Sequence, residues 1–263
     1  MSKQAAFFGI GGLVFLTIGG YLTNLGWRAP FSVYATALLL PFFLIRLLDE
    51  PSRAARQSTP ERPFVNEAWQ GQIIGLLLFS FLNSLTFYLL PTQLPFMIEE
   101  HQFGTPAFSG LALGVATFAS SLASLLYVKF RTRMGFPLLF FFGFLLMAIA
   151  YGFLGITESK GMTLVSMIIA GIGMGILMPN VMIAAMTYAP DHLRGRIAGG
   201  LTTSIFLGQF ISPLISQPWA AKYSLPTTFR DTCIFLLVVA IGSLIWGRTI
   251  SKKSAPDYSH RHV

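Results

Sequence analysis

Residues 71–98 read GQIIGLLLFSFLNSLTFYLLPTQLPFMI, 28 consecutive positions without a charged side chain. A helix needs only about 20 apolar residues to cross the hydrocarbon core of a bilayer. The apolar side chains fall on every face, whereas a strand of a transmembrane barrel would alternate and end sooner. Inside hydrocarbon each backbone amide must bond within its own segment or within a closed barrel, so this stretch predicts a spanning helix. Similar stretches fill 5–25, 31–48, 107–129, 137–156, 162–188, 197–219 and 229–248. The fold class is therefore all-α: a polytopic transmembrane helical bundle of about eight transmembrane helices.

Composition points the same way. The chain is 54% hydrophobic, 14% aromatic and only 11% charged, whereas charge makes up about 25% of an ordinary soluble domain. No water-soluble fold could cover that much apolar surface. Lys3 followed by an apolar run resembles the start of a secretory signal, but the run continues to about Leu25 without a small-residue cleavage site, and Trp27-Arg28-Ala29-Pro30 leads straight into the next apolar stretch. A spanning hairpin is the better reading.

The formal net charge is +8, and its distribution matters more than its size. Of the 18 Lys and Arg residues, 14 lie at the N-terminus, at Arg46 to Arg62, at Lys129 to Arg133, at Arg194 and Arg196, or in the C-terminal region. The alternate connections hold only Arg28, Lys160, Lys222 and Arg230. Cytoplasmic loops carry the basic excess, so both termini and the 49–70 connection are expected in the cytoplasm, with Glu99, Glu100 and His101 outside. The expected location is the cell membrane, and the basic charge is explained by topology, not by nucleic acid. Lone Cys233 offers no disulfide framework and reads as a small packing residue.

The one sizeable polar connection, 49–70, contains Pro51, Pro60 and Pro63 among mixed charges and suits a cytoplasmic linker. It separates two transmembrane helices in 1–48 from six in 71–248, leaving 249–263 as a cytoplasmic tail. A six-helix count matches transporter bundles built from two three-helix repeats.

Three groups of residues carry a family resemblance. Gly19-Gly20-Tyr21-Leu22-Thr23-Asn24-Leu25-Gly26-Trp27-Arg28-Ala29-Pro30-Phe31 resembles the turn between the fifth and sixth helices of major facilitator superfamily transporters. Phe87-Tyr88-Leu89-Leu90-Pro91-Thr92-Gln93-Leu94-Pro95 resembles their seventh helix. Pro190-Asp191-His192-Leu193-Arg194-Gly195-Arg196 and Gly208-Gln209-Phe210-Ile211-Ser212-Pro213 resemble the tenth-to-eleventh connection and the eleventh helix. The resemblance begins at the fifth helix, which implies a C-terminal six-helix bundle, two preceding helices and a missing N-terminal four-helix segment as a partner. Of the antiporter motif in the fifth helix, Gly11 and Gly19-Gly20 are present, but Phe15-Leu16 replaces Gly-Pro. The turn Tyr127 to Gly135 resembles the second copy of the family's cytoplasmic signature loop without its acidic residue.

No ionisable residue stands near the centre of an expected span; Asp49, Glu50, Glu99, Glu100, Glu158, Asp191 and Asp231 all fall at ends or in loops. Buried charge is the usual mark of a proton relay, and this chain offers none. Neither metal-ligand spacing nor a buried acid pair supports an enzyme, and no cofactor or metal is expected. Gly171-Ile172-Gly173-Met174-Gly175 lies inside a span and follows no strand, so it reads as close helix packing and not as a dinucleotide loop. The same holds for Gly110, Gly114 and the series Ala112, Ala116, Ser120, Ser124.

Uncharged polar groups remain as candidates for solute contact. Asn83, Ser84, Thr86, Tyr88, Thr92 and Gln93 crowd one helix that Pro91 and Pro95 interrupt, freeing the carbonyls of Phe87 and Pro91. Such helices line transporter cavities; the same amides could instead bond neighbouring helices. Pro179-Asn180 lies in another span, with Met174, Met178 and Met182 at four-residue spacing, suited either to a ligand surface or to core packing. Phe206 and Gln209 share a face that is either a ligand contact or a seam. The expected substrate cavity is thus Asn83, Phe87, Tyr88, Gln93, Met178, Asn180, Phe206 and Gln209. Arg131, Arg133, Asp191, Arg194 and Arg196 form a candidate cytoplasmic gate, their other role being orientation.

The resemblance implies a secondary active transporter of a small organic solute working by alternating access, with efflux suggested by similarity to drug and sugar efflux members. The partners are the lipid bilayer and a small-molecule substrate. The other reading is an incomplete paralogue that is inactive alone.

Overall fold

The computed structural model describes residues 2–38 and 69–253. Among them the elements are α1 (Ser2–Leu22), α2 (Trp69–Glu100), α3 (Pro106–Arg131), α4 (Phe136–Leu154), α5 (Lys160–Tyr188), α6 (Arg194–Tyr223) and α7 (Leu225–Lys253), with short 3-10 turns between some of them and no strand. Among the described residues, seven helical segments are long and apolar enough to cross a membrane. The all-α polytopic bundle is therefore the fold.

Five of the seven described helices outrun the apolar stretches that betrayed them, whereas α1 and α4 stop short of theirs at Leu22 and Leu154. Thr105 caps α3 by accepting from the Phe108 amide at 3.4 Å, with Pro106 in the first turn, and Ser159 caps α5 by accepting from the Met162 amide at 3.3 Å. Such caps satisfy amides that the helix itself leaves open. Hydropathy records contact with lipid, whereas helix ends are set by these caps, and two expectations shift as a result. α7 begins at Leu225, not near 229, which carries Asp231 inside the helix. It also continues to Lys253, so 249–253 extend the helix instead of opening the tail.

The expected second span, 31–48, is described only at its start, where Ala29–Leu38 forms a 3-10 helix with Pro30 in its first turn. The rest of that span, the linker up to residue 68 and the tail from residue 254 lie outside the described residues.

Packing pairs α1 with α3, α3 with α5, α5 with α4, α4 with α7, and α2 with α6, while α6 and α7 touch only lightly. The core is aromatic where α2, α4 and α7 meet. The Phe79 ring lies 4.8 Å from Phe140 and stands edge-on to Trp246 at 5.2 Å, geometry in which ring edges meet ring faces. Cys233 packs against this core, as expected of a small apolar residue.

Elsewhere the helices approach through small residues. A Cβ on Gly175 would strike the Ser120 carbonyl and come within 2.8 Å of the Ala123 Cβ, and one on Gly171 would strike the Ala116 carbonyl. Gly110 and Gly114 turn the other way, toward the α1 backbone at Leu16 and Leu13. The small-residue series thus does what it predicts, with α3 presenting one small face to α5 and another to α1.

α6 and α7 are joined by Ser224 alone, at φ 145°. That backbone region is nearly exclusive to glycine. Its hydroxyl accepts from the Thr227 amide at 3.3 Å and pairs with the Thr227 hydroxyl at 2.9 Å, capping α7 in the process.

Candidate functional site: the polar face of α2

α2 continues through Pro91 and Pro95, and the polar residues on it divide into two kinds. Thr86 and Thr92 bond back to their own helix, through the Leu82 carbonyl at 2.8 Å and the Tyr88 carbonyl at 2.9 Å. Helix-interior hydroxyls often do this, and these two are spent. The Tyr151 hydroxyl donates to the Thr86 carbonyl, one residue before the carbonyl that Pro91 leaves without its amide donor.

Asn83 and Gln93 instead reach other helices. Asn83 is 1% exposed and its Nδ2 donates to the Met178 sulfur on α5 at 3.4 Å. Sulfur is a weak acceptor. The Asn83 Oδ1, and the Ser80 Oγ one turn earlier, are buried without a partner. Phe87, one turn beyond Asn83, and the neighbouring Tyr88 are half-buried.

Gln93 donates to the Ser216 hydroxyl at 2.9 Å and to the Gln217 side-chain carbonyl at 3.2 Å, tying α2 to α6. It also lines an open cavity of about 420 Å³ shared with Phe96, Glu100, Gln217 and Lys222. Ser216 and Gln217 are not among the residues expected at the site. A polar pair in the last third of an apolar helix is the signal that marks them.

The other expected residues take different places. Asn180 is fully buried, its Oδ1 accepting from the Tyr127 hydroxyl at 2.8 Å and its Nδ2 donating to the Phe136 carbonyl at 3.0 Å. It differs from the expected cavity residue because both ends of its amide are engaged by protein, bracing α3, α4 and α5 together. Phe206 is 63% exposed, on the side of α6 away from Gly208, where α6 presses on α2 at the Phe81 carbonyl. Gln209 is half-buried beside it.

The family model described as Major Facilitator Superfamily matches residues 1–213. The chain belongs to the major facilitator superfamily. No curated protein matches it at a significant level. Together with the seven span-length helices, membership in this superfamily makes the chain a multi-pass membrane transporter.

In this facilitator-superfamily bundle the basic turns gather at one end. Asp191 and Arg194 pair at 2.9 Å, both well exposed, a setting in which an ion pair contributes about 1 kcal/mol or less. Arg131 lies over the Phe136 ring at 3.8 Å and donates to the Met134 carbonyl at 3.2 Å. Phe136 in turn meets Tyr188 edge-on at 5.7 Å, so the α3–α4 and α5–α6 connections are neighbours. Arg133 and Arg196 are exposed.

Proposed function

We propose that this chain moves a small, uncharged organic solute outward across the cell membrane by alternating access, along a path between α2, α5 and α6. The observation that supports this reading is Asn83. A buried amide with a free acceptor, held only by a thioether, is a group prepared to exchange its partner. Met178, Phe87 and Tyr88 would give the solute apolar and aromatic contact, with half-buried Gln209 on the α6 side; Phe206, turned away from α2, takes no part in this path. Gln93 stands at the end of the path, where the 420 Å³ cavity opens.

A strongly charged solute would call for an opposite charge in the path. Among the described residues, the Asp, Glu, His, Lys and Arg side chains lie toward helix ends and in turns. The uneven division of Lys and Arg supports cytoplasmic termini. The neighbouring α3–α4 and α5–α6 connections, with Arg131, Arg133, Asp191, Arg194 and Arg196, would then close the cytoplasmic mouth.

Transport assays with a panel of labelled neutral solutes, in cells expressing the protein, test the reading. Asn83→Ala should reduce efflux of the transported solute about tenfold, the effect of losing a hydrogen bond worth 1.4 kcal/mol, at unchanged membrane abundance. Unaltered efflux in Asn83→Ala, Tyr88→Phe and Gln93→Ala together would remove the path from α2.

A further inference from the structure

A second cavity of about 340 Å³ lies between α6 and α7, with α2 as its floor. It exists because α6 packs on α2 and α7 on α4, leaving the two chain neighbours touching only lightly. Leu85 and Leu89 of α2, Ile215 of α6 and Phe235 of α7 make its apolar walls. The α7 rim continues into Ile234, Val238, Ile241 and Ile245, all more than half exposed. An exposed apolar stripe on a spanning helix faces lipid, so the groove opens sideways into the bilayer.

Two polar groups give this apolar groove a specific chemistry. Asp231 is its single charged lining residue, and the Trp219 indole donates to Asp231 Oδ2 at 2.9 Å. That bond occupies one carboxylate oxygen and leaves the other available. Ser212, 2% exposed, also lines the groove, and its hydroxyl is buried without a partner. Trp219 packs against Tyr223 with ring centroids 4.8 Å apart. Paired Trp and Tyr near a helix end mark headgroup depth, and Asp231, bonded to Trp219, sits at the same level.

We infer that this groove is a lateral binding site for a membrane phospholipid with a primary-amine headgroup, whose ammonium meets Asp231 and whose acyl chain lies along Phe235 and the exposed face of α7. Charge complementarity selects the amine. An N–H-bearing ammonium gains a charge-assisted hydrogen bond from the free carboxylate oxygen, which a quaternary choline cannot form. An anionic headgroup would be repelled. The site lies on the α7 side of α2 and α6, meets the proposed solute path only at Ser216, the partner of Gln93, and requires only that the chain spans a membrane.

The test uses the 263-residue chain, purified, delipidated and titrated with phosphatidylethanolamine, phosphatidylcholine or phosphatidylglycerol of identical acyl chains, with bound lipid counted by native mass spectrometry. The ethanolamine lipid should bind about tenfold more tightly than the choline lipid, the factor carried by one charge-assisted hydrogen bond. Asp231→Asn keeps an acceptor for Trp219 and should erase the preference while leaving the fold intact by circular dichroism. Ile215→Trp, which fills the groove and spares the carboxylate, should weaken the ethanolamine lipid without altering Asp231. Equal affinity for ethanolamine and choline lipids, or a preference that survives Asp231→Asn, would overturn the assignment. So would binding of dodecylamine with no preference among the phospholipids, which would give the groove to free amines.

Discussion

Tyr127 and Asn180 are joined at 2.8 Å across the α3–α5 interface, and the same asparagine holds the Phe136 carbonyl at the start of α4. One side chain thus fixes the relative height of three helices at the end where Arg131 covers Phe136. Tyr127→Phe should destabilise the bundle by about 1 kcal/mol, the scale of an interhelical hydrogen bond in a membrane protein. Asn180→Ala should cost more, because two buried groups lose their partner. The double variant should be no worse than Asn180→Ala alone; additive losses in detergent unfolding would show the pair to be independent.

Close approach of α3 and α5 makes a second prediction. Gly175→Leu places a branched side chain against the Ser120 carbonyl, and overpacking of this kind costs typically 1–3 kcal/mol, roughly. Folded yield should fall, with the loss reproduced by Gly171→Leu. Gly242→Ala on α7, where a Cβ would meet nothing within 4 Å, should leave yield unchanged. Equal tolerance at all three positions would contradict the packing.

Orientation is checked in a Cys233→Ala background. Glu100→Cys should react with an impermeant thiol reagent from outside intact cells, and Arg133→Cys only after permeabilisation; both positions are exposed at helix ends. The reverse pattern would invert the topology and move the Arg131, Arg133, Asp191, Arg194 and Arg196 cluster to the outer mouth.

The bundle was readable in the sequence because each span had to be apolar along its whole length, and the positions of Gly110, Gly114, Gly171 and Gly175 announced where helices would close. Helix ends were less legible: Thr105 and Ser159 are ordinary polar residues until they cap, and nothing in hydropathy marks Leu225 as the start of α7. The polar residues were harder still. Asn83, Gln93 and Asn180 look alike in a sequence, yet one keeps a free acceptor, one bridges to α6, and one is consumed by two partners. That difference depends on what stands opposite each amide, and composition carries no record of it. Asp231 looks like a terminal charge in the sequence because its helix begins earlier than its apolar run.

Ser224 has a mechanical corollary. A single capped residue between α6 and α7 leaves no slack to absorb displacement, whereas α5 and α6 are separated by the turn from Ala189 to Leu193. Any tilt imposed on α6 at its contact with α2 must therefore be handed on to α7, whose own footing is on α4. The two helices form a hairpin lever that adds a covalent link between the packing pairs α2 with α6 and α4 with α7, at the end of the bundle where Gln93 faces the open cavity.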